Sequence, residues 1–186
     1  MGTPLEPQPT KYFVAFLVAD LALLADVEAE LTAVFGEIDA RATPRAWQES
    51  KFYEAEMGRP LWRGFWSLQS LRGAEELVTA KLRAQTIEDK FRDPVSGSRR
   101  VNLDPGYLDR LKVVLASTKN ANQRVYLNSG IYAEATLFYH HGAFHGLPYT
   151  YPDYLTLQAI DFLERVRAIY IEQLRHSGVL ANFKSC

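Results

Sequence analysis

The sequence is poor in cysteine and in the short motifs that identify common enzyme classes. Its only cysteine, Cys186, cannot form an internal disulfide, which favours a reducing, cytoplasmic environment. The glycine-rich motifs GxxxxGK-Ser/Thr and GxGxxG, the hydrolase motif GxSxG and a CxxC pair are all missing. Their absence argues against P-loop, dinucleotide-binding, α/β-hydrolase and zinc-ribbon chemistry.

Long hydrophobic runs and an excess of charge of one sign are lacking as well. No stretch approaches the roughly 18 apolar residues of a membrane span, so we expect no membrane partner. The chain has 21 basic and 22 acidic residues and a pI of about 6.4. No overall field therefore attracts nucleic acid or an anionic surface, and any anion site must be local.

What is present favours one folded unit. Hydrophobic residues make up 47% of the chain and aromatic residues 12%, which is enough for a substantial core. Residues 1–10 are polar and rich in proline, so we expect a flexible tail. Residues 11–186 are predicted to form a single α+β domain.

The first half of that domain alternates strand-like and helix-like patterns. Strands are predicted over residues 11–19, around 37–41 up to Pro44, over 61–68 and near 101–104. One helix follows Asp20 as its N-cap, and a second ends near Phe91. The order β-α-β-β-α-β is typical of a ferredoxin-like arrangement, whereas residues 47–60 show no clear pattern.

The second half is predicted to contain two helices and a hairpin. A third helix is expected over residues 105–117, with Asp104 as N-cap and Pro105 at its first position. Two strands should flank a turn at 128–130, and a further strand should lie near Phe144. A long C-terminal helix is expected over 153–176. The sheet should be mixed or largely antiparallel, with the helices against one face.

The stretch RRVNLDPGYL, residues 99–108, offers the first candidate binding site. In a strand Arg100, Asn102 and Asp104 would share one face, beside a helix N-terminus that favours phosphate or carboxylate. The alternatives are that Asp104 only caps a helix, and that Arg100 pairs with Asp104 or Glu134 within the protein.

Glu134 is the second candidate, because it shares a strand face with hydrophobic neighbours and needs a partner there. Arg124 and Tyr126 lie on the preceding strand, and Lys119 lies in the loop before it. With Arg100 and Asp104 these charges could bind an anion. Glu134 and Asp104 are then the candidate catalytic carboxylates, and Mg²⁺ is the candidate cofactor. A buried ion-pair network without a ligand remains the alternative.

Aromatic and histidine residues give weaker signals. Tyr151, in LPYTYPDY, could stack on a base or merely pack before the last helix. The histidines of HHGAFH favour a hairpin tip over a metal site, and no metal ligands are assigned. The best functional hypothesis is binding of a small phosphorylated or anionic metabolite, with a nucleotide as one candidate. The alternative is a non-catalytic interaction module for single-stranded RNA or a protein, using aromatic residues near Trp62, Trp66 and Tyr149.

Five segments of the sequence are long enough to be specific: EAEMG at 54–58, RRVNLDPGYL at 99–108, LASTKN at 115–120, RVYLNSGIYAEATL at 124–137 and LPYTYPDY at 147–154. Together they resemble a bacterial family of unknown function, DUF4416. The resemblance covers nearly the whole chain after the N-terminal segment. It implies no activity, cofactor or catalytic residue.

Overall fold

The computed structural model describes residues 3–178, which form eight strands and four α-helices. The strands are β1 (Thr10–Val18), β2 (Ile38–Ala46), β3 (Trp62–Arg72), β4 (Val101–Leu108), β5 (Lys112–Ser117), β6 (Val125–Asn128), β7 (Ile131–His140) and β8 (Ala143–Gly146). The helices are α1 (Leu24–Phe35), the single turn α2 (Glu54–Met57), α3 (Leu77–Lys90) and α4 (Leu157–His176).

All eight strands belong to one antiparallel sheet of order β2-β3-β1-β4-β5-β7-β6, with β8 also paired to β7. The predicted α+β class and the long C-terminal helix are confirmed. The ferredoxin-like order is not confirmed, because β5, β7, β6 and β8 extend the sheet beyond β4. No helix among the described residues is long and apolar enough to cross a membrane.

The central strand β1 is buried on both faces because helices cover both sides of the sheet. Val14 and Phe16 belong to the core beneath α1 and α3. Phe13 and Ala15 point the other way, into the core beneath α4, where the Phe13 and Phe162 rings lie 6.4 Å apart. The expectation that all helices pack on one face is therefore wrong.

The predicted third helix over residues 105–117 does not form. Strand β4 continues through Pro105 to Leu108, and β5 returns alongside it. Leucines spaced three and four apart suggested a helix. However, Val113, Val114, Leu115 and Ala116 are consecutive buried residues, as in a strand covered on both faces. Asp104 is accordingly a strand residue and not an N-cap.

Two glycine and proline positions explain local backbone geometry. Pro44 does not end β2: it lies in an irregular part of this edge strand, between Ala42 and Arg45, where a missing N–H is tolerated. The turn predicted at 128–130 is confirmed, with Ser129 and Gly130 both at positive φ (51° and 75°). This geometry matches the tight hairpin turns that joined antiparallel strands favour.

The two ends of the described chain refine the expected boundaries. Residues 3–9 have no regular secondary structure, but the Tyr170 hydroxyl donates to the Pro9 carbonyl at 2.8 Å. Strand β1 begins at Thr10, within the segment expected to be a tail. The C-terminal helix is α4 preceded by a separate 3₁₀ turn, Pro152–Leu155. Cys186 lies outside the described residues.

The sheet divides between β4 and β5. These strands pair only from Gly106 to Leu108, opposite Leu115 to Val113. Before Gly106, β4 continues beside β1 alone, as far as Val101. A side chain at Gly106 would lie 2.6 Å from the Val114 carbonyl, so glycine permits the close approach at the dividing point. Beyond it, the outward backbone groups of β4 have no strand partner in the described structure.

Side chains of α3 take the place of that missing strand. The Leu103 N–H donates to Glu88 Oε1 at 2.7 Å, and Lys81 Nζ donates to the Leu103 carbonyl at 2.8 Å. Lys81 and Glu88 are only 6% and 5% exposed. Each satisfies a buried backbone group that would otherwise remain unbonded.

We expect Glu88→Leu to destabilise the protein by about 1–3 kcal/mol relative to Glu88→Gln. Glutamine keeps an oxygen that accepts from Leu103, whereas leucine leaves that buried N–H without an acceptor. Urea denaturation at neutral pH measures the difference. Equal midpoints for the two variants would show that the Glu88 contact does not support β4.

Candidate functional site

A cavity of about 530 Å³ lies where β4 and β5 separate. Its walls come from β4, the end of β5 and the following loop, α3, residues 47–53 and the 3₁₀ turn before α4. Basic and acidic side chains are equally represented among its lining residues: Arg63, Lys81, Arg99, Lys119 and Arg124, with Glu49, Glu88, Asp104, Glu134 and Asp153.

Asp104 is the central carboxylate of one wall. Its Oδ1 accepts from Lys81 Nζ at 3.1 Å, and its Oδ2 accepts from the Asn102 amide at 2.7 Å. Arg63 lies 3.8 Å away. Burial by itself opposes ionisation, but the charges of Lys81 and Arg63 and these hydrogen bonds outweigh it and lower the Asp104 pKa. Asp104 is therefore held as a carboxylate.

Arg63 is buried beneath the cavity against aromatic rings. Its guanidinium lies 2.6 Å from Asp153 Oδ2, and both side chains are almost fully buried. The guanidinium carbon is 5.5 Å from the Tyr154 ring centre and 5.8 Å from that of Trp47. Cation–π attraction and the ion pair together hold Arg63 in place.

Glu134 lies on β7 and pairs with Arg124, which immediately precedes β6. Arg124 Nε donates to Glu134 Oε2 at 2.8 Å, and Gln123 donates to the same oxygen at 3.1 Å. The other Arg124 nitrogens bind the Tyr151 hydroxyl at 2.5 Å and the Lys119 carbonyl at 2.7 Å. One guanidinium thus connects β7, the β5–β6 loop and the segment before α4.

The second carboxylate oxygen of Glu134 is not satisfied within the described structure. Glu134 is 1% exposed, and its Oε1 has no hydrogen-bond partner among residues 3–178. A buried acceptor without a donor is costly and uncommon. This oxygen is a position at which a ligand donor would lower the energy of the complex.

Lys119 is an exposed residue beside the segment that the sequence patterns left unassigned. Its Nζ lies 3.8 Å from the centre of the Phe52 ring. Burial and the positive charges of Arg99 and Arg124 lower the Lys119 pKa. The α2 turn of the same segment contributes Glu56, which binds Arg99 at 2.6 Å. Residues 47–60 thus supply an aromatic wall of the cavity.

Most of the residues singled out from sequence meet at this cavity. Asp104, Glu134, Asn102, Lys119, Arg124 and Tyr151 all line it. Arg100 does not: its guanidinium lies 3.9 Å from Asp20, so the alternative in which it pairs with Asp104 or Glu134 is not formed either. Tyr126 is also absent from the lining and is 57% exposed on the outer strand β6. Their ligand-binding roles have no support from this geometry.

Sequence reasoning missed six charged residues of the cavity: Glu49, Arg63, Lys81, Glu88, Arg99 and Asp153. Three of them carried a usable signal. Lys81 and Glu88 fall on the apolar stripe of α3 that contains Leu77 and Ala84, and charges there need buried partners. Arg63 similarly places a charge at the start of the buried part of β3, residues 63–68. The sequence pattern placed Arg100 on the same strand face as Asn102 and Asp104. Because β4 begins only at Val101, strand alternation does not determine which of Arg99 and Arg100 faces the cavity.

The weaker sequence signals lie elsewhere. The rings of His140 and His145 stack 3.8 Å apart at the β7–β8 hairpin. No group of three or more His, Cys, Asp or Glu side chains within residues 3–178 is arranged to hold a metal. The cavity carboxylates instead bind Lys81, Arg63 and Arg124, so they do not fit the Mg²⁺ expectation.

Comparison with known families matches residues 8–170 to a domain of unknown function, DUF4416. The chain belongs to this family. No curated protein and no solved structure matches it. Family membership therefore agrees with the motifs noted in the sequence, and the cavity of this DUF4416 domain must be interpreted from its own chemistry. Those motifs supply much of its lining, including Asn102, Asp104 and Lys119.

We expect Arg124→Met to destabilise this DUF4416 domain by about 3–5 kcal/mol, because it leaves Glu134 as an uncompensated buried charge. Arg41→Met is the matched control, since Arg41 and its partner Glu28 are considerably more exposed; it should cost less than about 1 kcal/mol. Denaturant titration compares the two. Equal losses of unfolding free energy in the two variants would show that the buried Arg124–Glu134 pair stabilises the fold no more than the exposed Arg41–Glu28 pair.

A pH titration provides an independent check on Glu88 in the DUF4416 domain. Burial raises the pKa of folded Glu88 above 4.5. The folded state then holds this proton more tightly than the unfolded state, so stability falls as pH rises from 4.5 through the folded pKa. Glu88→Gln removes this loss and should gain stability relative to wild type over that interval. A stability difference that is constant with pH would contradict the assignment.

Proposed function

We propose that the cavity between β4 and β5 binds a small phosphorylated or otherwise anionic metabolite, of which a nucleotide is the best-fitting class. The observation that carries the proposal is a single cavity whose lining includes both aromatic side chains, Phe52 and Tyr53, and basic side chains, Lys119 and Arg99. Its volume of about 530 Å³ falls within the range common for small-molecule sites. Phe52 and Tyr53 could contact a planar ring, while Lys119 and Arg99 could attract the anion.

The chemistry of the carboxylates is compatible with binding and with later proton transfer. Asp104 is held ionised by Lys81, Arg63 and Asn102, which suits a hydrogen-bond acceptor. Glu134 has one oxygen engaged by Arg124 and one unpartnered among the described residues. These are the groups we propose for ligand contact.

The aromatic residues expected to form the binding surface of an interaction module are not all exposed. Trp66 is 3% exposed and lies 4.3 Å from the Phe16 ring centre, within the core. Trp62 is only partly exposed, and Tyr149 is 37% exposed. Trp66 therefore cannot contribute to an exposed aromatic surface. Strong, salt-sensitive retention by single-stranded RNA would nevertheless favour that alternative.

A thermal-shift screen tests the proposal on the full chain. AMP, GMP, CMP, UMP, ribose 5-phosphate and glucose 6-phosphate should be compared with inorganic phosphate at equal ionic strength. A ligand at 100 times its Kd stabilises the native state by about 2.7 kcal/mol, which corresponds to several degrees in Tm for a chain of this size. We expect at least one of the six organic phosphates to produce such a shift.

Paired lysine variants localise the effect. Lys119→Met should remove the shift, whereas Lys90→Met should retain it, because Lys90 is exposed and binds Glu30 away from the cavity. If no compound changes the Tm, the proposed function is wrong. A shift that is the same in Lys119→Met would place binding outside this cavity.

A further inference from the structure

The charge balance of the cavity limits the net charge of its ligand. Its basic and acidic lining residues are equal in number. Added charge in a partly desolvated site is costly unless the protein provides surplus opposite charge. A phosphomonoester brings about −1.5 to −2 at neutral pH, and each further phosphate adds to this. The balance therefore favours a single phosphate group over a polyphosphate chain.

Most of the cavity cations are already paired with carboxylates. Arg63 binds Asp153, Lys81 binds Asp104 and Arg124 binds Glu134. Arg99 is paired with Glu56. Lys119 differs, because its ammonium group has no carboxylate within 4.0 Å among residues 3–178 and contacts the Phe52 ring instead. It is the cavity cation with most of its charge left for a ligand.

The unpartnered Glu134 Oε1 sets a second requirement for the ligand, which is a hydrogen-bond donor. The oxygen belongs to a carboxylate that is 1% exposed, and Arg124 and Gln123 both donate to the opposite oxygen. Arg124 also donates to the Lys119 carbonyl, so the Glu134 carboxylate and the Lys119 loop are fixed by the same guanidinium. The same guanidinium therefore positions both of the groups that we assign to ligand contact, the Glu134 carboxylate and the Lys119 loop.

We infer that the ligand is a monophosphate that also carries an N–H or O–H donor: Lys119 binds its phosphate and Glu134 Oε1 accepts from the donor. This inference rests on the proposed function and narrows it. Nucleoside monophosphates contain both groups and a planar ring for the aromatic wall. Nucleoside triphosphates carry too much charge for this cavity, and phosphates without a donor leave Glu134 unsatisfied.

Calorimetric titration of the wild-type chain separates these ligand classes. Each of the four nucleoside monophosphates is compared with its own triphosphate, in EDTA and at constant ionic strength. We expect the tightest monophosphate to bind at least tenfold more tightly than its triphosphate. Equal or tighter triphosphate binding would overturn the inference while leaving the proposed function intact. Failure of every phosphate tested would overturn both.

Phenyl phosphate tests the donor requirement, because it has a ring and a phosphate but no N–H and, as the dianion, no O–H. Wild type should bind it at least tenfold more weakly than the tightest nucleoside monophosphate. Equal binding of the two probes would overturn the donor assignment. This comparison needs no variant, so it remains decisive even if substitutions at Glu134 prevent folding.

The Glu134→Gln variant then tests whether Glu134 is the group that accepts from the ligand donor. Glutamine can keep an oxygen toward Arg124 but turns the other position into a donor, which repels a ligand donor. We expect at least tenfold weaker binding of the nucleoside monophosphate and unchanged binding of phenyl phosphate. Lys119→Met should weaken both probes, and the exposed variant Glu172→Gln should affect neither. Equal weakening of both probes by Glu134→Gln would show that Glu134 acts only in folding.

Discussion

The structure depends on how one backbone position, Leu103, is bonded on the side of β4 that faces away from β1, where no strand lies beside it in the described structure. Its N–H and carbonyl groups bind Glu88 and Lys81, which reach from α3 to the edge of β4. Buried backbone groups must be satisfied, and a second strand would normally do this. Because two side chains do it instead, β4 and β5 can separate before Gly106 and leave room for a cavity inside a continuous sheet.

The α3 side chains that take the place of a strand also bring charge into the cavity. Lys81 also binds Asp104, which in turn lies near Arg63. The same lysine therefore stabilises the edge of β4 and contributes charge to the cavity. Across the gap, Arg124 connects Glu134 with Tyr151 and the Lys119 loop. A ligand would therefore meet preformed charges whose positions are fixed by packing, which reduces the cost of ordering the site on binding.

Hydrophobic patterns predicted most of the elements, including β1, the 128–130 hairpin and the C-terminal helix. They failed at residues 105–117, because consecutive buried residues between two covered faces produce no strand alternation and leave helix-like spacing among the leucines. The expectation that Glu134 needs a charged partner on its buried strand face is met by Arg124, whereas its role toward a ligand stays a prediction. The aromatic wall from residues 47–60 was not predictable, because that segment has little regular structure and its position depends on long-range contacts such as Arg99 with Glu56.

Binding of a ligand where β4 and β5 separate is tested most directly by an amide NMR titration of the labelled full chain with nucleoside monophosphates, added one at a time. We expect saturable shifts concentrated at residues 102–104 and 117–119, with smaller changes at β6 and at the β7–β8 hairpin. Shifts confined to β6 or that hairpin, or no saturable shifts with any of them, would contradict it.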